Sequence, residues 1–187
     1  MAIVINGSGT LSGLAVGGLP DGTVDAGTLA TDSVTAAKLE VSAITGADLP
    51  SGSVLQVVQG QSGTQVETTS NAAFVTSGLS AAITPSSTSS KILVTASTTV
   101  VGTASTDTLT ALFRGTVSGT NITGDASTKY NSSNSEPSMI TNTYLDSPST
   151  TSAQTYTLGI KSSVNNQSSK AQVASTRGTI ILIEVAG

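Results

Sequence analysis

The sequence predicts an all-β protein: an extended, short-turn N-terminal shaft followed by a jelly-roll-like β-sandwich head. Three observations lead there. A ten-residue repeat runs through the first fifty residues. After it come about eight runs rich in Val, Ile and Thr, separated by Ser, Gly and Asn turns. No stretch carries a convincing amphipathic helical period.

The repeat places a β-branched residue, Val24, Val34 and Ile44, five positions before Leu29, Leu39 and Leu49. Small and polar residues fill the intervals, and Asp25, Thr35 and Thr45 are suitable N-caps for brief helical turns. Turns this short do not persist alone in water. Two large apolar groups per ten residues cannot build a private core, so a regular period of this kind implies packing across chains. Upstream, Ile3-Val4-Ile5 is a short strand candidate followed by a glycine-rich stretch to Pro20. Downstream, Leu49-Pro50-Ser51-Gly52 reads as a hinge. The resulting division is 1–20, 21–52 and 53–187.

The head begins with Ser53–Gln59 as a strand. Ala72–Thr76, Leu79–Thr84 and Lys91–Val101 follow, then Thr108–Arg114, whose alternation puts Leu112 opposite Phe113. Met139–Leu145, Tyr156–Lys161 and Gly178–Val185 complete the set, which fits a sandwich or jelly roll. The last strand is apolar on both faces, Ile180 and Leu182 on one and Ile181, Ile183 and Val185 on the other. An exposed strand of that kind would aggregate. It belongs between a core and another subunit.

Composition narrows the function. Charged residues are 10% of the 187, aromatics 3%, and Ser and Thr together roughly a third. This is a β-rich surface-protein composition, of extracellular or virion type, and not that of a disordered chain. The formal charge is −4, and the seven basic residues are scattered, which argues against nucleic-acid binding. The chain has no Cys and no His, so thiolate and imidazole chemistry is excluded. No apolar run is long enough to span a membrane, and the N-terminus lacks the pattern of a signal peptide. Release by lysis, as for a virion component, suits a surface protein without a signal.

Candidate sites follow from the polar segments. Asp125, Glu136 and Asp146 are the acids that a glycosidase would need, but they read as solvated loop carboxylates with no shared cleft, and no catalytic residue is assigned. Asp21, Asp107 and Asp125 are hard oxygen ligands without a calcium-loop pattern, so no metal or other cofactor is assigned. The longest polar stretch, 119–137, combines hydrogen-bonding groups with one aromatic plate. Asn121, Asp125, Lys129, Tyr130, Asn131 and Asn134 there form a candidate binding surface whose chemistry suits a glycan or protein, and which the resemblance described below would make receptor-binding toward a host surface. The loop 162–170 is a second candidate beside it.

Several segments in order resemble bacteriophage tail fibres, most closely those of marine and cyanobacterial phages. These are Ile5-Asn6-Gly7-Ser8-Gly9-Thr10, Gly17–Val24 and Thr35-Ala36-Ala37-Lys38-Leu39, then Gly52–Gln59, Ile83–Val94, Leu145-Asp146-Ser147-Pro148 and Ile181–Val185. The resemblance implies a homotrimer in the virion. Ile3, Val4 and Ile5 would dock to the tail or to other virion proteins. Val24, Leu29, Val34, Leu39, Ile44 and Leu49 would form a threefold shaft, and the head would face the host. A structural head fibre or capsid decoration with no receptor site is the alternative.

Overall fold

The computed structural model describes residues 4–5, 11–12, 31, 34–35, 48–103, 106–128 and 136–187. Two compact units make up the chain, Met1–Ala43 and Ile44–Gly187. In the first, β1 (Val4–Ile5) pairs antiparallel with β2 (Leu11–Ser12), Val4 opposite Ser12 and Ile5 opposite Leu11. The opening strand expected from Ile3-Val4-Ile5 thus has a partner within its own chain.

The second unit contains β3 (Val54–Ser62), β4 (Val66–Thr68), β5 (Val75–Ile83), β6 (Lys91–Gly102), β7 (Thr108–Arg114) and β8 (Thr120–Asn121). It continues with β9 (Ala126–Thr128), β10 (Ser138–Asp146), β11 (Gln154–Ser162), β12 (Ser169–Ala171) and β13 (Gly178–Val185). One sheet runs β3-β13-β6-β12-β4, with β10 on the other edge of β6; the second runs β5-β11-β7-β8, with β9 also on β7. The long strands alternate between the sheets in chain order: β3, β6, β10 and β13 in the first, β5, β7 and β11 in the second. That winding is a jelly roll.

The core lies between the sheets. Ile92 and Val94 of β6 and Ile180 and Leu182 of β13 meet Leu79 of β5, Leu112 of β7 and Leu158 of β11, all fully buried. Each contributes about 1.5–3 kcal/mol by leaving water. Alternation through Thr98 in β6 and along all of β13 puts these residues inward and their neighbours outward. The strand β10 brings polar groups to the inside instead. Asn142 exchanges hydrogen bonds with Thr110, its Nδ2 donating to Oγ1 at 3.0 Å, and Asp146 receives Arg114. Polar ties therefore hold β10 against β7 across the interior.

Several expectations need correction. Ala72–Thr76 and Leu79–Thr84 are not separate strands, because β5 runs unbroken through Gly78. That glycine sits at φ 83°, and the β5–β11 register shifts between Thr157 and Gly159, so a bulge absorbs the irregularity. Ala72 and Ala73 lie outside it, both donating their N–H groups to Ser70 Oγ at 3.2 Å. Asp146 is no loop carboxylate. It is the last residue of β10, shares the inner face with Asn142, and is buried. The alternation expected in β7 is masked, because Leu112 and Phe113 are both buried. The short strands β4, β8, β9 and β12 lie outside the expected set.

Candidate functional site

Phe113 points away from the core, yet it is covered. Phe74, delivered by the turn before β5, meets it edge-to-face with ring centroids 5.2 Å apart and planes at 66°. On the neighbouring strand Gly159, opposite Ala111, lies beside the two rings: a Cβ there would be 2.8 Å from Phe113 and 3.2 Å from Phe74. Lys161, two residues on and on the same face, places Nζ 4.5 Å from the Phe74 ring centroid. The same Nζ donates to Asp125 Oδ2 at 2.7 Å.

This is where the structure places the described part of the candidate receptor loop. Asn121 ends β8, and its Oδ1 accepts the N–H groups of Thr123 and Gly124 at 3.2 and 2.9 Å, closing an Asx-type turn. Its Nδ2 donates to Asp125 Oδ1 at 3.3 Å. Asn121 and Asp125 thus come together, joined by Lys161 and Phe74, which the sequence reading does not single out. Both polar residues spend hydrogen bonds on shaping the turn. Lys129, Tyr130, Asn131 and Asn134 lie outside the described residues. In the second candidate loop, Lys170 pairs with Glu67 of β4 at 3.5 Å, and Ser168 Oγ donates to the same carboxylate. The Ser168 hydrogen bond, with the Lys170 charge, holds the Glu67 carboxyl below its ordinary pKa.

The acids considered for catalysis do not converge. The Asp125 carboxylate belongs to the outside of the second sheet, and Glu136 is exposed just before β10. Asp146 lies between the sheets. Arg114 donates to it twice, Nε to Oδ2 at 2.8 Å and Nη2 to Oδ1 at 2.5 Å, and Tyr156 Oη donates to Oδ2 at 2.7 Å. Burial pushes the Asp146 carboxyl up, but these donors and the guanidinium charge outweigh it and hold the pKa below the usual range. The hydrogen bond to Asp146 raises Arg114, and burial raises the Tyr156 phenol. All three groups are locked in charge states that suit a structural tie. No group of three or more acidic, His or Cys side chains that could hold a metal exists among the described residues.

Glu184 is a second internal carboxylate, to which sequence reasoning assigns no role. Its parity with Ile180 and Leu182 was the available signal, since it puts the side chain on the inner face of β13. It is fully buried. It accepts Gln56 Nε2 at 2.5 Å, and the Ser86 N–H and Oγ at 2.7 Å each. Burial opposes its charge, but the donors prevail and lower its pKa. It moors the β5–β6 turn to the first and last strands of the head.

The first sheet is different on the outside. Leu145, Leu93, Ile183 and Val57 stand directly opposite one another across β10, β6, β13 and β3. Val57 is 59% exposed and Leu145 49%. One step along, Val185 faces Val54, also 59% exposed. Toward the other end the face turns to hydroxyls, with Thr95 meeting Thr143 at 3.3 Å and Ser97 meeting Thr141 at 2.8 Å.

Of the expected shaft residues, Val34 and Leu49 are described and exposed. Val24, Leu29, Leu39 and Ile44 lie outside the described residues, as do Ile3 and Asp21. Among the described residues no helix is long and apolar enough to cross a membrane.

No family model matches this chain, and neither does any curated protein. Among solved structures, the infectious bursal disease virus VP2 subviral particle superposes with a TM-score of 0.41 at 12% identity. The match covers 70% of this chain and 39% of that one. The Gt strain of the same virus gives a TM-score of 0.42 at 11% identity over 73% and 39%. A structure described as "CBM4 structure and function" gives 0.28 at 14% identity over 68% and 92%. This chain spans about two fifths of the VP2 chains it matches. The jelly-roll assignment rests on its own strand pairing.

Proposed function

We propose that this protein is a fibre-type structural component of a virion, a homotrimer anchored to a phage tail through its N-terminus. Its head would carry host attachment through a surface glycan or protein. The observation that carries the reading is the continuous passage from a ten-residue repeat, which calls for partner chains, into a jelly-roll head. Support comes from how firmly the junction is held. Gly52 N–H donates to the Ala186 carbonyl at 2.8 Å, and Ala186 N–H donates to the Ser53 carbonyl at 2.9 Å. The described interior acids serve structural ties, which suits a structural protein. The ordered resemblance to phage tail fibres is what suggests the number three and favours the tail.

The alternative, a head fibre or capsid decoration without a receptor site, draws on Asn121 and Asp125, whose polar groups are engaged in shaping their own turn. Light scattering on the full chain tests assembly. The fibre reading expects three times the 18.4 kDa chain mass, and a monomer would refute it. Leu39→Asp should lower that mass while leaving the head's β signal in circular dichroism intact. Binding of the full chain to a glycan array or to intact bacterial cells then separates attachment from decoration.

A further inference from the structure

We infer that the outer face of the first sheet is where the head packs against a second copy of this chain, and that this contact depends on the shaft to bring the copies together. The inference rests on the fibre reading for the tether and goes beyond it in naming the surface. Four strands pair side by side across the face. It carries the apolar row Leu145-Leu93-Ile183-Val57, continued by Val185 and Val54, and beyond the row Ile181 and Met139 among hydroxyl and amide side chains. On the outward positions of β3, β6, β10 and β13 the one charged group is Lys91, at the margin; farther along the same sheet Lys170 of β12 and Glu67 of β4 pair with each other.

Charge complementarity decides the occupant. A neutral face of apolar, Ser, Thr and Gln groups offers nothing to a charged partner or to a membrane of anionic lipids. Hydroxyl and amide groups both donate and accept, so the faces of neighbouring copies turned toward a common axis can satisfy one another. The protein has already used its own side chains to close the opposite side, where Phe74 and Lys161 cover Phe113. Among the described residues no such cover lies over the apolar row of the first sheet.

Size decides the need for a tether. Four strands about 4.8 Å apart and some six residues of strand at about 3.3 Å each define a face of roughly 400 Å² in projection. A standard stable interface takes about 800 Å² from each partner. The face alone therefore makes a weak contact. Linking the copies through neighbouring chain segments raises the local concentration to the order of millimolar, where such a contact closes. The chain enters β3 through Pro50–Ser53, at the end of the sheet where Val54, Val57 and Val185 lie, so joined copies present their apolar rows first.

The full chain contains no cysteine, which makes the test direct. Val57→Cys and Leu145→Cys are made singly, with Ala82→Cys on the exposed outside of β5 as the control, and each is treated with a short bismaleimide. Light scattering on the same samples gives the mass. Oligomeric protein that cross-links at Val57→Cys and Leu145→Cys and not at Ala82→Cys bears the inference out. Oligomeric protein that cross-links at Ala82→Cys, or at none of the three, overturns the face and leaves the shaft standing. Monomeric protein overturns the shared assembly reading together with the face.

Discussion

The two sheets of the head treat their outer faces in opposite ways. On the second, Phe113 would be a liability, and the chain answers it locally with the Phe74 ring, the Lys161 ammonium and a glycine at 159 that leaves room for the two rings. On the first, Leu145, Val57 and Val54 stand in a register-aligned patch that no described residue covers. Apolar groups on a sheet's outside can be neutralised within the chain or left for another molecule. The Phe113 cluster is the first case, and the proposed contact between copies is the second.

Mutations can break or sharpen that contrast. Phe113→Ala should cost about 3–5 kcal/mol, the range for removing a buried aromatic ring, as a lowered urea midpoint that does not vary with protein concentration. Asp146→Ala should cost about 3 kcal/mol, because it leaves Arg114 and the Tyr156 hydroxyl without their shared acceptor. A chemical denaturation curve tests it, and a loss below about 1 kcal/mol would mean that water replaces the carboxylate. Lys161→Met retains the stem over Phe74 and removes the ammonium; its expected cost is about 1 kcal/mol in the same assay. Val57→Thr should change the stability of the monomeric fold by no more than about 0.5 kcal/mol, yet lower the concentration-dependent part of the melting temperature.

The carboxylates give a pH test. Asp146 and Glu184 both have folded pKa values below their ordinary ones. Their stabilising contribution is therefore complete above the usual carboxylate range and is lost as pH falls through the folded values. Thermal melts should be flat near neutrality and drop in acid. Glu184→Gln should flatten part of that drop.

The long strands were legible because β-branched residues alternate in runs bounded by turn residues. Gly178–Val185 matches β13 end for end, and Lys91–Val101 differs from β6 by one residue. Ala72–Thr76 and Leu79–Thr84 misled because Gly78 reads as a break, and only the shifted pairing partner reveals a bulge. Strands of two or three polar residues, such as Thr120–Asn121, carry no period to detect. At the candidate site, the turn chemistry of Asn121 and Asp125 was readable from their types. Their link to Lys161 and Phe74 was not, since it joins positions 36 and more residues apart through the β7–β11 pairing. Asp146 shows the same limit. Ser-Pro after it suggests a loop, whereas its partner Arg114 comes from the facing sheet.

The pairing of β3 with β13 also sets how the head bears load. A pull arriving through Pro50 runs along the axis of β3, and the ladder bonds to β13 lie across that axis. Such a force shears the ladder, so its bonds from Val54 to Ser62 must yield together and do not unzip one at a time. The two bonds between Ala186 and the Gly52-Ser53 segment extend the sheared length past the strand's end. The same lead-in on an isolated hairpin would peel. Joined to the last strand of a jelly roll, it gives the head a mechanically strong point of suspension.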